Sequence, residues 1–70
     1  MDDVREKLRI LLDYWIEHNK EHRDEFVAWA EKSRNFAKVS VHDSIMEAAQ
    51  QMDRTNESLL KVLEELKGGK

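Results

Sequence analysis

The sequence contains no cysteine, no proline and only two glycines. Without cysteine the chain can form neither a disulfide nor a thiolate metal site, so any metal ion would have to be bound by histidine or carboxylate side chains. Without proline, and with both glycines near the C-terminus, the interior of the sequence lacks the residues that most often interrupt a helix. These absences favour long, continuous helices.

Long hydrophobic runs and concentrated positive charge are also missing. The longest apolar run, residues 26–30, is far too short to cross a bilayer, and residues 1–4 lack the basic and apolar regions of a signal peptide. The net charge is −3 with acids and bases interleaved, whereas nucleic-acid binders usually concentrate Lys and Arg on one face. We therefore expect a cytoplasmic protein that binds neither membranes nor nucleic acids.

The chain is short for an independent fold. Its 70 residues form at most one domain, close to the size at which a hydrophobic core barely offsets chain entropy without a metal, a disulfide or a partner. Its five aromatic side chains are too few to build a haem or flavin cavity. We expect no such cofactor, and we expect stability to be gained by association with a second chain.

The start of the sequence predicts a long first helix. Asp3 and Glu6 have the spacing of a capping box, and together with Asp2 they place negative charge where a helix N-terminus favours it. No cluster of helix-breaking residues follows until 33–35. Helix 1 is therefore predicted over about residues 3–33.

A second helix of similar length follows a predicted turn over residues 34–40. Asn35 suits the left-handed cap of helix 1, and Ser40 begins a capping signal for a helix over about residues 41–67, ended by Gly68 and Gly69. Phe36 and Val39 are expected to fold back over the core and close that end.

Both helices carry apolar side chains at helical spacing. In helix 1 these are Val4, Leu8, Leu11, Leu12, Trp15, Phe26, Trp29 and Ala30, interrupted by His18, Asn19 and His22. In helix 2 they are Val41, Ile45, Ala48, Ala49, Met52, Leu59, Val62, Leu63 and Leu66, interrupted by Thr55 and Asn56. The histidines and asparagines thus lie on the stripes that should be buried.

The matching lengths favour an all-α antiparallel hairpin over the alternative, a three-helix bundle with a break near Asn19. If the turn is centred near residue 37, the numbers of facing residues add up to about 75. The polar interruptions of the two stripes then meet in one layer. Because the stripes are wider than one seam between two helices, we expect a homodimer that forms a four-helix bundle.

His18 and His22 carry two alternative interpretations. Four residues apart on one helix face, they could bind Zn²⁺ or Ni²⁺, with oxygen ligands drawn from four nearby acids. Those candidate acids are Glu21, Glu25, Asp53 and Glu57. Alternatively, the imidazoles belong to a hydrogen-bonded polar layer that fixes register and oligomeric state without a metal. The sequence favours the second interpretation.

Residues 18–22 also fit the His-x-x-Glu-His pattern of inverted zinc metalloproteases. Those enzymes need a third ligand and a much larger domain, so a small metallohydrolase remains a distant alternative, and we predict no catalytic residue. His42 is expected to be a surface residue of the first turn of helix 2. Trp15 and Phe26 are expected to be core or interface anchors.

The segment Trp15-Ile16-Glu17-His18-Asn19-Lys20-Glu21-His22, with Phe26 and residues 29–32, resembles a small helical domain found in uncharacterised archaeal and anaerobic bacterial proteins. The resemblance covers most of the chain, and its most specific element is Trp-x-x-His-Asn-x-x-His. No settled activity accompanies it. It implies that the rest of the chain serves as scaffold and that five positions are the ones to test: Trp15, His18, Asn19, His22 and Phe26.

Taken together, these patterns predict a non-enzymatic interaction module with a central polar layer. Its expected partner is a second copy of the chain, and no other protein partner is predicted. The interface and polar layer should contain Trp15, His18, Asn19, His22, Phe26, Thr55 and Asn56.

Overall fold

The computed structural model describes residues 3–68. Helix α1 (Asp3–Ser33) and helix α2 (Val39–Gly68) are joined by a turn of residues 34–38 and pack along each other. The described chain is an all-α antiparallel hairpin without strands, so the predicted fold class is confirmed. The hairpin is a rod of 54 × 16 × 11 Å.

Helix α1 runs without a break through Asn19, so the three-helix alternative is wrong. The physical reason lies in the direction of the Asn19 side chain. An asparagine ends a helix when its amide competes for nearby backbone groups, but here the amide donates to Asn56 of α2. The backbone of α1 is therefore left to its own helical hydrogen bonds.

Helix α2 begins at Val39, two residues before the predicted start at residue 41. The N–H of Val41 donates to the carbonyl of Lys38 at 2.9 Å, so the first turn of the helix is already wound ahead of Ser40. Two residues of the predicted helix ends, Asp2 and Gly69, lie outside the described part of the chain.

The turn closes differently from the expectation. Phe36 and Val39 are 71% and 74% exposed and do not cover the core, so this prediction was wrong. That end of the hairpin is instead closed by the small buried residues Ala30 and Ser33. The Ser33 hydroxyl donates to the Ala30 carbonyl at 2.7 Å, which allows a polar side chain to be buried there.

The largest buried side chains lie in the half of the hairpin away from the turn, where Leu12 and Ile16 pack against Leu63. The partly buried Leu8, Leu59 and Leu66 surround this cluster. Further along, Asn19 bonds Asn56, and these two numbers add up to 75, so the predicted register is confirmed.

The line along which α1 meets α2, here called the seam, does not follow the middle of the predicted stripe. On α1 it runs through Leu12, Ile16, Asn19 and Ala30. Four other residues of the predicted stripe are exposed, namely Val4, Leu11, Trp15 and Trp29. A seam between only two helices is narrow, and it uses one side of a stripe that is wide enough for two contacts.

Candidate functional site

The first polar cluster is a pair of asparagines inside the seam. Asn19 donates its amide N–H to the side-chain oxygen of Asn56 at 3.0 Å, and Asn56 donates to the Ile16 carbonyl at 3.1 Å. Asn56 is buried, and every buried side-chain polar atom within residues 3–68 has a partner. Because a shifted register would leave these amides unpaired in an apolar environment, the pair fixes the alignment of the two helices.

The second cluster is His18 and His22, which lie beside the seam and not in it. Their Nε2 atoms are 3.1 Å apart, and the rings meet edge to face with centroids 4.5 Å apart. The side chains are 46% and 42% exposed, so the expected burial of the histidines is wrong for the single hairpin. Thr55 is also exposed. The predicted polar layer is thus divided into a buried amide pair and an exposed imidazole pair.

Helix geometry explains this separation. Successive residues are rotated by about 100°, so His18 and His22 lie roughly 60–100° to one side of Asn19. The rings continue an aromatic row along that side of α1, with Tyr14 stacked on His18 at 5.4 Å and Phe26 next to His22 at 6.3 Å. Neighbouring rings therefore restrict the orientation of both imidazoles.

Two of the four predicted oxygen ligands lie on the Nδ1 side of the histidine rings, away from the Nε2 atoms. The carboxylate of Glu21 lies 4.0 Å from Nδ1 of His18, and that of Glu25 lies 3.4 Å from Nδ1 of His22. Both acids thus face the δ nitrogens, while the ε nitrogens face each other. In metal sites a carboxylate in this position orients the imidazole and does not itself bind the ion.

The other two predicted oxygen ligands do not join the pair. Asp53 is bonded to Arg23 at 3.1 Å across the seam, and Glu57 is exposed. Within the described residues, no group of three or more His, Asp or Glu side chains is arranged to hold a metal ion. Within residues 3–68, one copy therefore offers two imidazoles as ligands and no third.

His42 is not the surface residue that was expected, because its side chain is only 15% exposed. Arg34 donates to its Nε2 at 3.2 Å, and its Nδ1 lies 2.9 Å from the Asp43 carboxylate. The carboxylate of Glu31 lies 3.6 Å from Nε2. His42 thus ties the end of α1 to the start of α2.

One side of the hairpin carries most of the exposed apolar side chains, and we call it the apolar face. From α1 it contains Val4, Leu11, Trp15, His18, His22 and Trp29, and from α2 it contains Val41, Ala48, Thr55, Val62 and Leu66. All of these residues lie roughly 40–120° from the seam in the same rotational sense, which for antiparallel helices is the same side of the pair. The opposite side carries the Arg23–Asp53 ion pair.

The Glu6–Arg9 ion pair lies away from this face, near the start of α1. The Glu6 carboxylate accepts hydrogen bonds from Arg9, and this hydrogen bond and the nearby positive charge hold the pKa of Glu6 below its usual value. Arg9 also contacts Asp13 at 3.4 Å. All three side chains are well exposed, so the pairs contribute little to stability.

Neither helix, over residues 3–68, has the length and apolar character that crossing a bilayer requires.

A family model for a domain of unknown function (DUF8180) matches residues 8–66. The match extends from Leu8 to Leu66, both of which pack against the core cluster. No curated protein and no solved structure matches the chain.

Proposed function

We propose that this chain, which belongs to the DUF8180 family of domains of unknown function, is a non-enzymatic module that associates with a second copy through its apolar face. The observation that carries the proposal is the position of the exposed apolar side chains. Leu11, Trp15 and Trp29 share one side of α1 and are 44%, 39% and 55% exposed. Exposed apolar side chains that share one face in this way are typical of an interaction surface.

The size of the surface supports a dimer. A face of 54 × 16 Å has an area of roughly 850 Å², and stable interfaces bury about 800 Å² on each partner. The hairpin exposes 5541 Å², whereas a compact protein of 8.3 kDa exposes only about 4,600 Å². Pairing two rods face to face would remove this excess and produce a four-helix bundle.

The direction of the two-fold axis decides which residues would meet, and we place it perpendicular to the helices. Two rods related by such an axis overlap fully only if it crosses the middle of the hairpin, near residue 20 of α1 and residue 55 of α2. When the axis is perpendicular to the helices, each helix packs on its own copy in the antiparallel direction. Leu11 then faces the partner's Trp29, and Thr55 faces the partner's Thr55.

No catalytic role is part of the proposal. In an inverted zinc metalloprotease, the glutamate of His-x-x-Glu-His acts on a water molecule at the metal. Here the Glu21 carboxylate is exposed and lies on the Nδ1 side of His18, away from the Nε2 atoms. This geometry supports an interaction role for the motif.

The experiment compares two neighbouring lysine substitutions by sedimentation equilibrium. Leu11→Lys places a charge on the apolar face, whereas Ile10→Lys changes a similarly exposed residue that lies off it. We expect a wild-type dimer at ~100 μM, a dimer for Ile10→Lys and a largely monomeric Leu11→Lys variant. A monomeric wild-type chain with a cooperative melt, or equal masses for the two variants, would contradict the proposal.

The arrangement of the dimer can be tested separately, because the native chain has no cysteine. A disulfide requires Cα atoms about 4.4–6.8 Å apart, which only residues next to the two-fold axis satisfy. Thr55→Cys should therefore cross-link two copies readily under mild oxidation. Ser58→Cys, on the outer side of α2, is the control and should remain a monomer on a non-reducing gel. Equal cross-linking of the two variants would count against this arrangement.

A further inference from the structure

The distance between the two histidine ε nitrogens is suited to a shared metal ion. Zn²⁺ binds imidazole nitrogen at about 2.0–2.1 Å. Two Nε2 atoms 3.1 Å apart, each at that distance from one ion, would subtend an angle of about 98° at the metal. A small rotation of either ring reaches the tetrahedral angle. The pair on α1 is thus arranged as one half of a tetrahedral site.

The surroundings of the rings agree with this use. Ligand histidines typically direct their second nitrogen at a carboxylate, which fixes the ring and makes the ligand nitrogen a better donor. Glu25 approaches Nδ1 of His22 at 3.4 Å, and Glu21 lies 4.0 Å from Nδ1 of His18. The ring stacking of Tyr14 on His18 adds a further restraint. The two acids also place negative charge beside a bound cation.

Two imidazoles are half of the four ligands that a closed zinc site requires, and the described chain brings no third ligand to them. The missing half can come from a second copy. The two-fold axis of full overlap crosses α1 near residue 20, which lies midway between His18 and His22. Any dimer with this axis perpendicular to the helices places the two histidine pairs opposite each other.

We propose that the dimer binds one divalent transition-metal ion, best fitted by Zn²⁺, between His18 and His22 of one copy and the same two residues of the other. The proposal rests on the self-association proposed above. The hydrogen bond between the two Nε2 atoms requires one proton between them. When a metal ion binds both Nε2 atoms, each neutral ring carries its single proton on Nδ1, on the side of Glu21 or Glu25, so the proton between the Nε2 atoms moves to Nδ1 of the same ring.

The test uses the full chain, stripped of metal with a chelator and dialysed into chelator-free buffer. Sedimentation first establishes whether the metal-free chain is a dimer, which tests the proposed function by itself. Titration with zinc chloride in a calorimeter then measures the stoichiometry. We expect one Zn²⁺ for two chains, and a melting temperature raised by on the order of 10 °C at a zinc concentration about 100-fold above the dissociation constant.

His42 provides a matched control, since it is the third histidine of the chain and lies far from the pair. His18→Gln and His22→Gln should each lose the zinc-dependent rise in melting temperature, whereas His42→Gln should retain it. His22→Leu serves as a second variant, because it removes the ligand nitrogen and places an apolar side chain of similar size on the apolar face. It should remain helical and dimeric without responding to zinc.

The outcomes separate the two proposals. A metal-free dimer that does not bind zinc, or binds it equally well as His22→Gln, would overturn the metal site and leave the self-association standing. A stoichiometry of one zinc for each chain would also overturn the shared site. A metal-free monomer that dimerises on binding one zinc for two chains would support the site and contradict metal-independent association.

Discussion

The asparagine pair and the histidine pair lie at the same level of the hairpin, with Asn19 between His18 and His22 in sequence, yet they have opposite surroundings. Asn19 is bonded across the seam to Asn56, which is itself buried and also bonded to the backbone of α1. His18 and His22 bond to each other and lie near Glu21 and Glu25 of their own helix, and they remain nearly half exposed. The amides are satisfied by the hairpin, whereas the imidazoles face outward.

This difference shows how one wide stripe can serve two contacts. The part of the stripe that includes Leu12 and Asn19 holds α1 against α2 and determines the register. The part that includes Leu11, Trp15 and His22 is left for a partner. Substitutions in the first part should alter the folding of the chain, whereas substitutions in the second should alter its association.

The largest effect is expected when charge is introduced into the seam. Leu12→Lys combined with Leu63→Lys should unfold the hairpin, because each leucine contributes about 1.5–3 kcal/mol by burial and a 70-residue core supplies only about 3–5 kcal/mol. Circular dichroism at 25 °C should show loss of most helix. Ile10→Lys combined with Lys61→Ala, both on exposed sites, is the control and should stay helical. A folded double-lysine variant would show that the seam is not the main source of stability.

A smaller effect is expected when the amide pair is broken. Asn56→Ala leaves the Asn19 amide and the Ile16 carbonyl without their partner, and should lower the free energy of unfolding by about 1–3 kcal/mol. Urea denaturation measures this change. Thr55→Ala, at the neighbouring exposed position, should change stability by less than about 0.5 kcal/mol. Equal changes in the free energy of unfolding for the two substitutions would contradict the proposed difference between the seam and the apolar face.

The smallest effect is expected at the exposed ion pair of Glu6 and Arg9. Because Arg9 lowers the pKa of Glu6 in the folded chain, the pair stabilises the fold above the usual pKa of glutamate and ceases to do so as pH falls through the lowered value. Glu6→Gln should therefore lower the melting temperature slightly at pH 7 and not at acid pH. Added salt should reduce the difference.

Glu17→Gln is the control for this measurement, since Glu17 is another exposed acid of α1. A loss of stability in Glu6→Gln that persists at acid pH would mean that the charge of Glu6 is not its cause.

The hairpin and its register could be predicted from the sequence because they depend on the lengths of the helices and on the positions of the polar residues along them. The two helices have similar lengths, and the polar interruptions at Asn19 and Asn56 coincide only in the observed register. The angular position of the seam could not be predicted in the same way. The stripe is wide, and periodicity does not indicate which part of it the other helix covers. The histidines were therefore expected to be buried.

The residues in and next to the turn show a second limit of prediction from sequence patterns. Phe36 and Val39 are apolar and were expected inside, while His42 is polar and was expected outside, and the structure reverses all three. A short turn leaves its apolar side chains little surface to cover. The burial of His42 depends on Arg34 and Asp43, whose positions are known only once the turn is formed.

The location of the main core also has a consequence for how the chain folds. Leu12 and Ile16 meet Leu63 in the half of the rod away from the turn, so these contacts close a loop of about 50 residues. In the half nearer the turn, the fully buried apolar side chains are the small Ala30 and Ala49, which release little free energy when they are buried. We therefore expect that folding does not proceed as a zipper that gains most of its stability from the turn outward. The barrier should be crossed only when the two distant halves of the chain collide, which makes the hairpin a slower folder than its local helical structure suggests.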